Sequence, residues 1–399
     1  TDQYGEPVHG SMYRNLWSNA PKECLEYPDY TFDEHFGKAI PSFLPREVLY
    51  DYLKGRWSKG DLRPWIRFNH VVRQVTYNDS TDDFSVVAKD LVEDRDLPAQ
   101  KFDYLIVATG QFSAPNIPSF PGIDTFPGRI MHSHEFRNAC EFKDQTLLVV
   151  GSSYSAEDIA LQTLKYGAKK IFCTYRTRPM GFKWPPQIEE KPLLTRIEGS
   201  TVHFKDGTVA DVDAIILCTG YLLVFPFLEE RLRLKSSNLS LPRDPGLYKC
   251  TLWTQAANNK LLYIGMQNYC YTYTLFDAQA KWAVNYVTGK IKLPDNETIV
   301  KDWKKWVARL KEIILTDLRE DIDFHTDYLL DIAKEANYGY DLDRAEKYHL
   351  WETQKQVNIL TYRDQSHVSK FTGTKSPIHH TTFMEAYDDS MSTFLATKQ

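Results

Sequence analysis

Several classes of protein are excluded by what this chain lacks. No two of its six cysteines (Cys24, Cys140, Cys173, Cys218, Cys250, Cys270) stand in Cys-x-x-Cys spacing. A disulfide framework, a structural zinc site and a redox dithiol are therefore not expected, and free thiols point to a reducing, cytoplasmic setting. No run reaches the ~18 uncharged apolar residues of a membrane span. The net charge is only -5, so no strongly basic surface is offered to nucleic acid or to an anionic membrane. His379 and His380 in "SPIHH" have no carboxylate or cysteine at ligand spacing, and no metal is expected there. There is no Ser/His/Asp triad pattern, no obvious pair of catalytic carboxylates and no Gly-x-Gly-x-x-Gly. The opening residues, "TDQYGEPVHGSMYRNLWSN", carry no signal-peptide pattern, and the chain is expected to begin within a domain.

What remains is an ordinary globular composition, 42% hydrophobic and 25% charged over 399 residues, long enough for two or three domains. Aromatic residues make up 14%, which suits pockets that grip flat rings as well as thick cores. Two segments resemble each other. "FDYLIVATG" (102–110) and "VDAIILCTG" (212–220) each place an acidic residue before a short apolar run that ends in Thr-Gly. Continuous apolar runs of this length suit central strands covered on both faces. The repeat predicts an α/β fold with two nested dinucleotide-binding, Rossmann-like domains, one inserted into the other.

Between them lies one βαβ unit. A strand is predicted over 146–150, a turn from Gly151, a helix over 156–166 stopped by Gly167, and a strand over 170–174. Glu157 and Asp158 fall in the first turn, where the helix dipole favours acid. Gly151 keeps the first position of a phosphate-cradling turn, while Ser153 and Ala156 stand where the next two glycines usually fall. By itself this turn also fits a βαβ unit without ligand. The second strand runs into "CTYRTRP", with Arg176, Thr177 and Arg178 where NAD-binding units tend to carry an acid. Arginine there suits the 2'-phosphate of NADP(H), although two solvated arginines on a sheet edge fit the same residues. Farther on, a helix is predicted from about Glu297, with Ile299, Trp303, Trp306, Leu310, Ile313 and Ile314 on one face. The tail from about Ala336 reads as polar, aromatic and irregular.

"FPGRIMHSHEFR" (126–137) fits Phe-x-Gly-x-x-x-His-x-x-x-aromatic-basic through Phe126, Gly128, His132, Phe136 and Arg137. Here the chain resembles the flavin-containing monooxygenases, class B flavoprotein monooxygenases whose fingerprint ends in Tyr-Lys. Phe136-Arg137 is a conservative departure, and the Trp of the Baeyer–Villiger branch is absent. "PVHGSMYRNLWSNAPKECLEYPDYTF", "GSSYSAEDIA", "YRTRPMGFKWP", "CTGY", "FPFL", "GMQ" and "NILTYRD" resemble the bacterial trimethylamine monooxygenase subgroup, and the likeness runs along essentially the whole chain.

The resemblance implies FAD and NADP(H) as cofactors, and O2 with a small amine or sulfide as co-substrates. Oxygen would be transferred from a C4a-hydroperoxyflavin, with trimethylamine to trimethylamine N-oxide as the leading reaction. It implies an NADP domain at 120–222 inserted into an FAD domain made of 1–119 and 223–399, and a cytoplasmic homodimer with neither a membrane nor a nucleic-acid partner. His9 would contact FAD, Val72 its adenine side and Thr272 the flavin. Trp17 would line the nicotinamide side, and Asn19 would sit beside flavin C4a. Gly151, Ser152, Ser153 and Tyr154 would form the NADP turn, Tyr154 facing the reaction. Arg176 and Thr177 would hold the 2'-phosphate, and Arg363 would reach NADP from the carboxyl-terminal part. The family's amino-terminal Gly-x-Gly-x-x-Gly unit is not in these residues, so the chain as given is expected to hold FAD weakly. Tyr269 and Cys270 depart from the subgroup pattern. A flavin disulfide reductase shares the nested domains but needs a redox cysteine pair. A relative that binds NADP(H) without catalysis is the remaining alternative.

Overall fold

The computed structural model describes residues 1–234, 246–266, 271–313, 318–339 and 344–397. Tyr269, Cys270 and Ile314 lie outside the described residues.

A five-stranded parallel sheet runs in the order Ile188–Lys191, Lys170–Thr174, Thr146–Val150, Ala214–Leu217, Arg129–His132. Its centre follows from side-chain alternation. Leu147 and Val149 pack with Ala156, Ile159 and Ala160 of the helix Tyr154–Lys165. Leu148 and Val150 turn the other way and pack with Leu194, Ile197, Val202 and Phe204. Those four belong to a three-stranded antiparallel meander, Leu194–Glu198, Thr201–Phe204 and Val209–Asp211, which covers the second face. The predicted strands at 146–150 and 170–174 stand at those bounds, and the helix begins two residues earlier than its apolar spacing indicates.

The two connections between this sheet and the rest run side by side, Ala114–Pro115 pairing antiparallel with Tyr221–Leu222. The rest holds a four-stranded sheet in the order Leu247–Tyr248, Leu252–Trp253, Leu261–Tyr263, Leu105–Val107, its last pair parallel. The two Thr-Gly runs differ in cover. Ala214–Leu217 is buried throughout, whereas Leu105–Val107 leaves Ile106 42% exposed and has a strand on one side only among the described residues. The fold is thus α/β with Rossmann-like sheets. No described helix is long and apolar enough to cross a membrane.

A helical layer closes the molecule: Thr272–Val287, Asn296–Ile313, Leu318–Ala336 and Arg344–Val357. Ile299, Trp306 and Leu310 are buried on one face of the second of these. The fourth corrects the reading of an irregular tail. Its inward face is Tyr348, Trp351, Glu352 and Lys355, all buried, and the charged pair in that face hides its amphipathic period.

Candidate active site

The nucleotide turn is built by close approach. Gly151 has φ 139°, its N–H donates to the Thr174 carbonyl at 2.9 Å, and a Cβ would run into the Cys218 carbonyl oxygen. Ala156 is fully buried against the sheet, so its methyl fits where the third glycine usually falls. The Ser153 side chain makes no capping hydrogen bond at the start of the helix Tyr154–Lys165. The first-turn N–H groups of such a helix lack intrahelical acceptors and attract an anion. Two residues beyond Thr174, which holds Gly151, come Arg176, Thr177 and Arg178, all exposed. A pyrophosphate at the helix start and a further phosphate at the arginines suit this donor set, so these residues fit NADP(H).

Against the first helical turn opens a cavity of about 640 Å³, lined by Tyr154, Ser155, Asp158 and Ile159 of the helix and by Trp17 and Asn19 among others. Three residues marked in the sequence, Trp17, Asn19 and Tyr154, therefore share one cavity. Met12, Leu16, Leu44, Leu49 and Leu53 make much of its wall apolar. Trp17 is buried, edge-on to His379, Phe383 and Phe394. Tyr154 donates its hydroxyl to Glu352 Oε1 at 3.1 Å.

The other marked residues stand apart. Arg363 lies behind the wall, 3% exposed, donating to Asp158 Oδ1 at 2.6 Å and to the Ser18 carbonyl at 3.0 Å. Asp158 also accepts from the Tyr13 hydroxyl. Burial raises the Asp158 carboxyl's proton affinity, and Arg363 opposes that shift. Both acids near the helix start are buried and paired: Glu157 with Lys355 at 2.9 Å, and Asp158 with Arg363. His9 Nε2 lies 2.6 Å from the Thr109 carbonyl at the Thr109-Gly110 turn. Thr272 opens its helix beside Tyr273, which lines the cavity. Val72 is 40% exposed on the strand His70–Asn78, away from the cavity. His9 thus sits against the turn that follows the strand Leu105–Val107, where Gly110 has φ 76°.

The fingerprint around His132 has a mechanical role. His132 Nε2 donates to the Gly220 carbonyl at 3.0 Å, and its Nδ1 accepts from the His134 N–H at 3.0 Å. Burial lowers the His132 pKa, which agrees with a neutral ring in that tautomer. Arg137 donates to the His134, Phe136 and Gly10 carbonyls. The motif therefore pins the end of the strand Arg129–His132 to the second connection and to the amino-terminal segment. Tyr221, packed on His132 and His134, then lines the cavity.

The family model described as flavin-binding monooxygenase-like matches residues 2–180 and 186–341. The chain belongs to this family. As a flavin-binding monooxygenase it uses FAD and NADP(H) in O2-dependent oxygenation. It is 52% identical over 395 residues to the trimethylamine monooxygenase of Methylocella silvestris, covering 98% of this chain and 86% of that one. It is 50% identical over 397 residues to the trimethylamine monooxygenase of Pelagibacter ubique, covering 99% and 88%. The crystal structure of Tmm from Pelagibacter sp. strain HTCC7211 superposes with a TM-score of 0.94 at 49% identity, covering 99% and 88%.

Sequence reasoning missed Asp158 and Glu352 as parts of this site. Asp158 looked like a dipole acid, and Glu352 lay in a segment read as irregular. Tyr221 carried a signal, since it directly follows the second Thr-Gly.

Proposed function

We propose that this monooxygenase converts trimethylamine to trimethylamine N-oxide, with small sulfides or other tertiary amines as poorer substrates. The observation that carries the reading is the convergence of Trp17, Asn19 and Tyr154 on one largely apolar cavity against the nucleotide turn. The nearly full-length likeness to trimethylamine monooxygenases supports the choice of amine. In the balanced reaction the amine lone pair takes one oxygen atom of O2. The second leaves as water, taking the hydride of NADPH (two electrons and one proton) and one further proton from solvent.

Bound FAD, reduced by NADPH, supplies the oxygen activation. This chain's residues supply the surroundings. The leucines and Trp17 exclude water and favour the neutral amine, the form with a free lone pair. The Asn19 side-chain amide offers hydrogen-bond donors in the cavity that Tyr154 also lines. Gly151, Ser152 and Ser153 admit the NADP(H) pyrophosphate at the helix start, and Arg176 and Thr177 hold the 2'-phosphate. His9, Val72 and Thr272 are assigned to the FAD side. Arg363 is assigned to NADP(H) indirectly, through Asp158 and the Ser18 carbonyl, which it holds at the cavity wall. The reading also takes 120–222 as the NADP domain within an FAD domain of 1–119 and 223–399. A cytoplasmic homodimer completes it, carried by the family resemblance alone. The test is NADPH oxidation by the purified flavoprotein with and without trimethylamine, with N-oxide quantified. An unchanged rate and no N-oxide would overturn the substrate assignment.

A further inference from the structure

Tyr154 is the first residue of the nucleotide helix and lines the cavity, yet its hydroxyl is committed elsewhere, donating to Glu352 Oε1 at 3.1 Å. Glu352 comes from the helix Arg344–Val357 and is 6% exposed. Three more groups converge there. The Lys355 ammonium sits 4.6 Å from the Tyr154 ring centre, 2.9 Å from Glu157 Oε2 and 3.6 Å from Glu352 Oε1. The Trp351 ring lies nearly parallel to that of Tyr154, 15° between planes and 6.5 Å between centres. Tyr154 and Glu157 are one turn apart on one helix, as are Glu352 and Lys355 on the other, so the two helices grip each other through two pairs of neighbours.

Burying two carboxylates and an ammonium is costly, and such groups are poor stabilisers compared with apolar packing. With both acids ionised the cluster carries one negative charge in excess, and the Tyr154 hydroxyl is a donor that offsets it. Burial raises the Glu352 pKa, with Lys355 opposing and Glu157 adding to the rise. The geometric consequence concerns the ring. A phenol held at its oxygen by Glu352 and flanked by Lys355 and Trp351 keeps one orientation. That orientation sets the cavity wall and the edge of the nucleotide turn together, because Ser153 is the adjacent residue.

We propose that Glu352 is a positioning residue for the oxygenation, acting through the hydrogen bond it accepts from Tyr154. This rests on the reading that Tyr154 faces the reacting substrate. Glu352 touches the reaction only by way of Tyr154, and removing it does not strand a buried cation, since Lys355 keeps Glu157.

The test is a double-mutant cycle on the FAD-loaded enzyme. It reads kcat/KM for trimethylamine and the fraction of NADPH recovered as hydrogen peroxide. Glu352→Ala is expected to lower kcat/KM about tenfold and to raise the peroxide fraction. In a Tyr154→Phe background the same change is expected to cost less than about twofold, because the bond it acts through is already gone. Glu352→Gln, which keeps an acceptor oxygen, is expected to stay within about threefold of wild type. An equal loss in both backgrounds, no loss from Glu352→Ala, or a Gln variant as damaged as Ala would overturn the positioning role and leave the cavity reading standing. Tyr154→Phe indistinguishable from wild type in both readouts would overturn the role of Tyr154 and this inference with it.

Discussion

Arg363 donates from Nη2 to Asp158 Oδ1 at 2.6 Å, and through this buried pair the carboxyl-terminal part of the chain is fastened to the nucleotide helix. The Nε of the same guanidinium holds the Ser18 carbonyl, between Trp17 and Asn19 on the cavity wall. Arg363→Met would leave Asp158 buried with only the Tyr13 hydroxyl to satisfy it. The variant is expected to lose about 3–5 kcal/mol of stability, the cost of breaking a buried pair from one side. Urea denaturation of the FAD-loaded enzyme measures this. A loss below about 1 kcal/mol together with a raised KM for NADPH would show that Arg363 serves the nucleotide and not the fold.

Arg176 stands exposed beyond the strand Lys170–Thr174. Arg176→Ala removes one charge-assisted phosphate contact, worth on the order of 1.5–3 kcal/mol. The ratio of kcat/KM for NADPH over NADH is expected to fall roughly 10- to 100-fold, mostly through the KM for NADPH. An unchanged ratio would remove Arg176 from the 2'-phosphate site.

Asn19→Ala is expected to accept electrons from NADPH at close to the wild-type rate and to release hydrogen peroxide in place of most of the N-oxide. The motive is that Asn19 offers amide donors in the cavity that Tyr154 also lines. Stopped-flow flavin reduction and a peroxide assay separate the two steps, and tight coupling in the variant would refute the role.

Lys165 is buried among Trp17, Tyr166, Phe383 and Tyr387, with its ammonium 2.8 Å from the Ala386 carbonyl. Burial lowers its pKa to about 8 from an ordinary 10.5. Between those values the unfolded chain binds the additional proton, so this residue's contribution to stability rises with pH across that window. The melting temperature of wild type relative to Lys165→Met is therefore expected to climb from about pH 7.5 to about pH 9.5. A constant gap over that range would mean that the Lys165 pKa is not depressed in the fold.

Local pattern alone was enough to read the unit from Thr146 to Thr174. Its apolar strand, glycine turn, amphipathic helix and following arginines are all contacts within a few residues of one another, and strand bounds came out as read. The helix Asn296–Ile313 was equally legible, because Ile299, Trp306 and Leu310 recur at helical spacing. The helix Arg344–Val357 was not, since its inward face carries Glu352 and Lys355, whose burial is intelligible only beside Glu157 and Tyr154.

The sequence by itself pointed to the fold class through its repeated apolar runs and Thr-Gly turns, and to the family and its cofactors through the motifs in which it resembles the flavin-containing monooxygenases. Only the tertiary structure decided that Trp17 and Asn19 meet Tyr154 in one cavity, and that the two acids of the nucleotide helix are neutralised from the far end of the chain. Tyr154 and Glu352 are 198 residues apart, and Asp158 and Arg363 are 205 apart. A charge looks solvated wherever its neighbours in sequence are polar, and it becomes a buried, paired and positioned group only when packing removes the water around it.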